Sequence, residues 1–80
     1  MSMLTGVQIR LARSALNWSV AELAMNSSVS ARTINRIEAS GAEMQATPAN
    51  LKLIRETLEA AGVEFIGGAG DGPGVRLWRE

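Results

Sequence analysis

Apolar side chains recur at helical spacing four times along this chain and then change to strand spacing. In the first run Val7, Leu11, Ala15 and Leu16, with Ala12 beside them, lie three and four residues apart, predicting a helix with one apolar stripe interrupted at Asn17. Thr5 and Gln8 have capping-box spacing and mark its start. Ser19 and Glu22 repeat that spacing before Val20, Leu23 and Ala24, a short second helix that ends near Asn26-Ser27-Ser28, residues that favour turns. Ser30 caps a third segment, Ala31 to Ala39. Its Ile34 and Ile37, with Val29 before them, point one way, while Arg32, Asn35 and Arg36 point the other. Ser40-Gly41 closes this helix, and an irregular connection runs on through Gln45. Thr47-Pro48 opens a fourth helix with apolar Leu51, Ile54, Leu58 and Ala61 and with Gly62 as its stop.

After Gly62 the period shortens. Val63-Glu64-Phe65-Ile66 and Val75-Arg76-Leu77-Trp78 are rich in β-branched and aromatic residues, and the glycine-rich stretch 67–74 between them reads as a hairpin loop. Two strands alone are marginal in water, so the hairpin must pack on the helices or pair with a second chain. The expected fold class is mainly α, four helices followed by a C-terminal β-hairpin. Residues 1–62 form the helical unit, and 63–80 form the hairpin as a possible dimerisation element.

At 80 residues the chain has room for one small domain. With 46% apolar and 20% charged residues it belongs with globular proteins. It holds neither cysteine nor histidine, so disulfides, thiolate nucleophiles, the usual zinc ligand sets and an imidazole base are excluded. No cofactor, metal, catalytic residue or small-molecule substrate is expected, and the expectation is of a protein that is not an enzyme. No signal-peptide pattern and no uncharged run long enough to span a bilayer occurs, which predicts a soluble intracellular protein without a membrane partner. The formal net charge is zero, yet residues 1–40 carry Arg10, Arg13, Arg32 and Arg36 against only Glu22 and Glu38, while acids outnumber bases beyond them. Only the first half favours an anionic partner.

Two short helices joined by a tight turn, the second with Arg32, Asn35 and Arg36 on one face, have the layout of a helix-turn-helix. The major groove of B-DNA admits one α-helix, whose leading side chains reach base edges. Arg32 and Arg36 suit guanine, Asn35 suits adenine, and the Ala31 methyl suits the thymine methyl. Arg10, Ser19 and Ser30 are candidate phosphate contacts.

The runs Gln8-Ile9-Arg10-Leu11-Ala12-Arg13, Trp18-Ser19-Val20-Ala21-Glu22-Leu23-Ala24, Val29-Ser30-Ala31-Arg32-Thr33-Ile34-Asn35-Arg36-Ile37-Glu38 and Thr47-Pro48-Ala49-Asn50-Leu51 stand in the order and spacing of a known family. Over Thr5 to about Ala61 the chain resembles the phage-repressor-like, Cro-like or XRE-type, helix-turn-helix transcriptional regulators. The tail, Leu58 to Ile66 and Gly72 to Leu77, is similar to endings of short bacterial members. The resemblance implies a compact lambda-repressor-like bundle with Ala31, Arg32, Asn35 and Arg36 facing bases. It also implies a structural ion pair between Arg13 and Glu38, a pairing that would by itself stitch helix one to helix three. It further implies a cytoplasmic, bacterial protein that binds double-stranded DNA. Two positions depart from the family: Val20 stands where Gln usually contacts phosphate, and Ser28 where Gly usually makes the turn.

The expected function is a sequence-specific transcriptional regulator, a repressor, that inserts helix three into the major groove as a homodimer. Phe65, Ile66, Leu77 and Trp78 are the candidate dimer interface. The alternative is a helix-turn-helix-fold interaction module, antitoxin-like or an adaptor, with weak or no DNA binding, which zero net charge and Val20 favour. Trp18 is expected in the core or as a lid between helices one and two. Lys52 with Glu56 and Arg55 with Glu59 have i,i+4 spacing, and with Glu64 they read as a solvated face.

Overall fold

The computed structural model describes residues 4–39, 47–67 and 70–78. Four helices, α1 (Gly6–Leu16), α2 (Val20–Ser27), α3 (Ala31–Ala39) and α4 (Pro48–Ala60), precede two strands, β1 (Val63–Ile66) and β2 (Gly74–Leu77). The closure of α3 by Ser40-Gly41, the connection to Gln45, and Gly68 and Ala69 of the glycine loop lie outside the described residues.

Local chemistry sets the helix boundaries. Thr5 caps α1 and Ser19 caps α2, each in a complete capping box with Gln8 or Glu22 at the third helical position. Thr47 caps α4 ahead of Pro48 by accepting from the Asn50 amide at 3.2 Å. Helix α1 ends at Asn17 in the left-handed region (φ 60°), a conformation that Asn tolerates better than most residues. Helix α2 ends at Ser28, also left-handed (φ 65°), so the chain turns there with a serine in the strained region.

The core is built around fully buried Ile9, Leu23, Ile34, Ile37, Ile54 and Leu58. One expectation is corrected here. Helix α1 does not bury the row of Val7, Leu11 and Ala15: Leu11 is 41% exposed, Ala15 is exposed and Val7 is half-buried. The buried row is Gly6, Gln8, Ile9, Ala12 and Leu16. Both rows satisfy helical spacing, and contacts with α3 choose between them. Gly6 lies against the Ile37 carbonyl, where a Cβ would collide with backbone, and Arg13 bonds to Glu38. The row that these two residues bracket therefore turns inward.

The hairpin is antiparallel, with Val63 opposite Leu77, Glu64 opposite Arg76, Phe65 opposite Val75 and Ile66 opposite Gly74. Strand β2 begins one residue earlier than predicted, and Trp78 lies just past its end, where its amide donates to the Gly62 carbonyl at 2.6 Å. The hairpin packs on the helices, β2 against α1 and β1 against α4. Val63 is buried, and Phe65 and Val75 pack on the same core.

Candidate nucleic-acid interface

Helix α3 is the most strongly two-sided element of the chain. Ile34 and Ile37 are 0% exposed and Val29 just before them is 4% exposed, which fixes how the helix is rolled on the core. The opposite side presents Ala31, Arg32, Asn35 and Arg36, all exposed and spaced one, three and one residue apart along one stripe. Of the predicted site residues, these four are brought together on one surface. At the leading end the Ser30 hydroxyl accepts from the Thr33 amide at 3.2 Å and donates to the Thr33 hydroxyl at 2.9 Å. Ser30 thus caps α3, and its hydroxyl proton is turned toward Thr33.

The turn before α3 is closed by side chain and backbone together. The Ser27 hydroxyl accepts from the Val29 amide at 3.2 Å, and the Ser28 amide donates to the Ala24 carbonyl at 3.0 Å. Ser27 is 3% exposed, so this bond is made out of water and sets the angle between α2 and α3.

Arg13 holds the third side of the motif. Its Nε and Nη2 each donate to a separate Glu38 carboxylate oxygen at 2.9 Å, and its Nη1 donates to the Trp18 carbonyl at 3.0 Å. This planar two-point pairing joins α1, the turn into α2 and the end of α3. The hydrogen bonds that Arg13 donates to Glu38 raise its pKa above its ordinary value, against a smaller opposing effect of burial. Arg13 and Glu38, the two residues that the resemblance pairs, are in contact across α1 and α3.

Arg10 and Ser19 are exposed on α1 and at the start of α2. The Ser19 oxygen accepts from the Glu22 amide at 3.1 Å, which leaves its proton to donate. Val20 is half-buried against the core. Trp18 also packs on the core and lines an open cleft of about 460 Å³ with Asn26, Glu56, Thr57, Ala60 and Ala61. None of those residues belongs to the α3 stripe.

The four hairpin residues divide between two faces by strand alternation. Phe65 and Leu77 share the face of buried Val63, whereas Ile66 and Trp78 lie on the other. Phe65 lies under the Arg55 guanidinium, 5.3 Å from ring centroid to Cζ, and Arg55 also pairs with Glu59 at 3.2 Å. Trp78 is 64% exposed, yet its indole N–H donates to Glu64 at 2.6 Å and Arg76 stacks over its ring.

Reasoning from the sequence gave one residue its capping role but missed its tie to the hairpin. Gln8 is 1% exposed, and its side-chain amide donates to the carbonyls of Ile66 (3.0 Å), Gly74 (3.1 Å) and Gly67 (3.3 Å), while its oxygen accepts from the Thr5 amide at 3.1 Å. The available signal was its place in the capping box, which accounts for the oxygen alone.

A family model described as helix-turn-helix matches residues 9–64, which covers α2, α3, α4 and most of α1. No curated protein matches the chain. Among the described residues no helix is long and apolar enough to cross a membrane.

Proposed function

We propose that α3 is the DNA-reading helix of this chain, which belongs to the helix-turn-helix family of Cro/XRE-like DNA-binding regulators. The observation that carries this reading is the exposed stripe Ala31, Arg32, Asn35 and Arg36, on a helix whose other side is locked into the core by Ile34 and Ile37. Arg32 and Arg36 bond guanine, Asn35 bonds adenine and Ala31 meets a thymine methyl. Arg10 and the Ser19 hydroxyl hold phosphates. Because Ser30 gives its proton to Thr33, the Thr33 hydroxyl takes over the phosphate contact expected of Ser30.

The protein acts as a homodimeric repressor joined through its hairpin. Trp78 donates to Gly62, so by alternation the amides and carbonyls of Val75 and Leu77 point away from β1, and β2 offers them as an edge to a second chain. Ile66, Leu77 and Trp78 add exposed apolar surface, at 38%, 36% and 64%. Phe65 contributes by seating the strand. Two coupled recognition helices roughly 34 Å apart then bind far more tightly than one.

Selection of bound duplexes from a random-sequence pool tests the reading, with salt titration of the selected sites. The expected result is a palindromic motif. Arg32→Ala and Arg36→Ala should each relax one position of it, at about 1–3 kcal/mol, and flatten the salt dependence. If nothing is enriched and random duplex binds without a salt slope, DNA reading by α3 is overturned. Val20 and zero net charge would then favour the protein-interaction alternative.

A further inference from the structure

We propose that Gln8 is a positioning residue for operator recognition: by seating the hairpin on α1 it sets the half-site spacing that the dimer accepts. The inference rests on the hairpin-joined dimer proposed above and names what fixes its geometry.

The side chain joins two parts that otherwise meet through apolar packing. Its amide reaches the carbonyls of Ile66 and Gly74, which face each other across the hairpin, and of Gly67 next to them. Three acceptors converging on one amide group define a direction as well as a distance, which apolar contact does not. Gln8 is 1% exposed, so its own amide has no water to turn to if these part-buried bonds are lost. Its oxygen meanwhile holds the Thr5 amide, which locks the side chain to the first turn of α1.

From that turn the path to the reading helix is short. Gly6, two residues before Gln8, packs directly on the Ile37 carbonyl of α3, and Arg13 at the far end of α1 grips Glu38 of α3. Helix α1 is thus fixed to α3 at two points and to the hairpin through Gln8. Where a second copy adds to the hairpin, the tilt of the hairpin on α1 is carried to the separation of the two α3 helices. Half-site spacing in such dimers follows that separation.

Gln8→Glu isolates this role. A carboxylate still accepts the Thr5 amide, and negative charge suits a helix start, but it turns an acceptor toward three carbonyls. The test uses the full chain and duplexes bearing the selected half-site once, or as inverted pairs whose spacing changes one base pair at a time. The wild-type protein should lose about tenfold or more in affinity away from one optimal spacing. Gln8→Glu should bind the single half-site with the same sequence preference and salt slope, but with a spacing profile that is flat or has moved. Gln8→Met, which carries no charge against the carbonyls, should do the same if the acidic variant does not fold.

An unchanged, sharp spacing optimum in either folded variant overturns the proposal, as does a parallel loss at the single half-site, which marks a merely structural role. Failure of the underlying dimer has its own signature. A wild-type protein that is monomeric in sedimentation and indifferent to spacing overturns both readings, whereas a spacing-selective wild-type dimer with an equally selective Gln8 variant overturns only the role of Gln8.

Discussion

Around α3 the chain is held by apolar side chains that exclude water completely: Ile9, Leu23, Ile34 and Ile37 are all 0% exposed. Among the described residues of the hairpin, by contrast, only Val63 is fully buried, Phe65 and Val75 are half-buried, and the polar tie to α1 is one glutamine bonded to main-chain carbonyls. Apolar packing is strong and weakly directional, so it makes a rigid platform for a reading stripe. A polar joint is weaker but fixes orientation, which suits an element that places a second subunit. The difference also implies unequal local stability, with the hairpin able to open while the helices stay folded. The two tryptophans, Trp18 among the helices and Trp78 on the hairpin, allow each region to be followed separately after Trp→Phe replacement of the other.

The largest expected effect comes from attacking the platform. Ile34→Ala removes a fully buried side chain under the reading stripe and should cost about 3–4 kcal/mol. In urea both tryptophan probes should shift together, because the hairpin has no support once the helices melt. A hairpin transition left at its original midpoint would show that the two regions fold independently.

Next is the tie across the motif. Arg13→Met leaves the Glu38 carboxylate, whose side chain is only 9% exposed, without its two-point partner. The part-buried pair should cost about 2–3 kcal/mol on this break, below the range for fully buried pairs because Arg13 keeps some solvent contact. The Trp18 probe should report all of it. Loss of sequence-selective DNA binding should track the unfolded fraction, and a folded variant with relaxed selectivity would instead give Arg13 a direct part in reading.

Gln8→Met sharpens the comparison from the other side. Its removal should lower the stability reported by Trp78 by about 1 kcal/mol, the scale of part-buried hydrogen bonds whose acceptors water can partly satisfy. The Trp18 midpoint should move by less than half as much. Equal shifts at both probes would mean that the hairpin is part of the same cooperative unit as the helices.

The same contrast explains what could be read in advance. The four helices, their caps and the stripe on α3 follow from periodicity and side-chain chemistry carried by the residues themselves, as with Ser19 and Glu22 or Ile34 and Ile37. The inward row of α1 was ambiguous because Val7-Leu11-Ala15 and Ile9-Ala12-Leu16 both have helical spacing, and the contacts of Gly6 with Ile37 and of Arg13 with Glu38 separate them. The seat of the hairpin was hidden for a deeper reason. Its acceptors are carbonyls of Ile66, Gly67 and Gly74, and every residue has a carbonyl, so no side-chain pattern announces which ones Gln8 will find. Pairing of Arg13 with Glu38 was legible because both partners are side chains of opposite charge.

The smallest effect tests whether strain at the turn is structural or serves reading. Ser28 sits at φ 65° and ψ 17°, where a side chain costs about 1–2 kcal/mol relative to glycine. Glycine is also freer in the unfolded chain, which offsets part of that gain. Ser28→Gly should therefore stabilise the Trp18 transition by about 0.5–1 kcal/mol, a rise of roughly 2–8 °C in Tm for a domain of this size. The Ser28 amide bond to Ala24 and the neighbouring bond between Ser27 and Val29 use groups that the substitution leaves in place, so α3 should keep its angle to α2. Half-site sequence preference should then be unchanged while stability rises. A more stable variant with altered preference would show that the serine itself, and not just the left-handed turn it occupies, contributes to how α3 is presented.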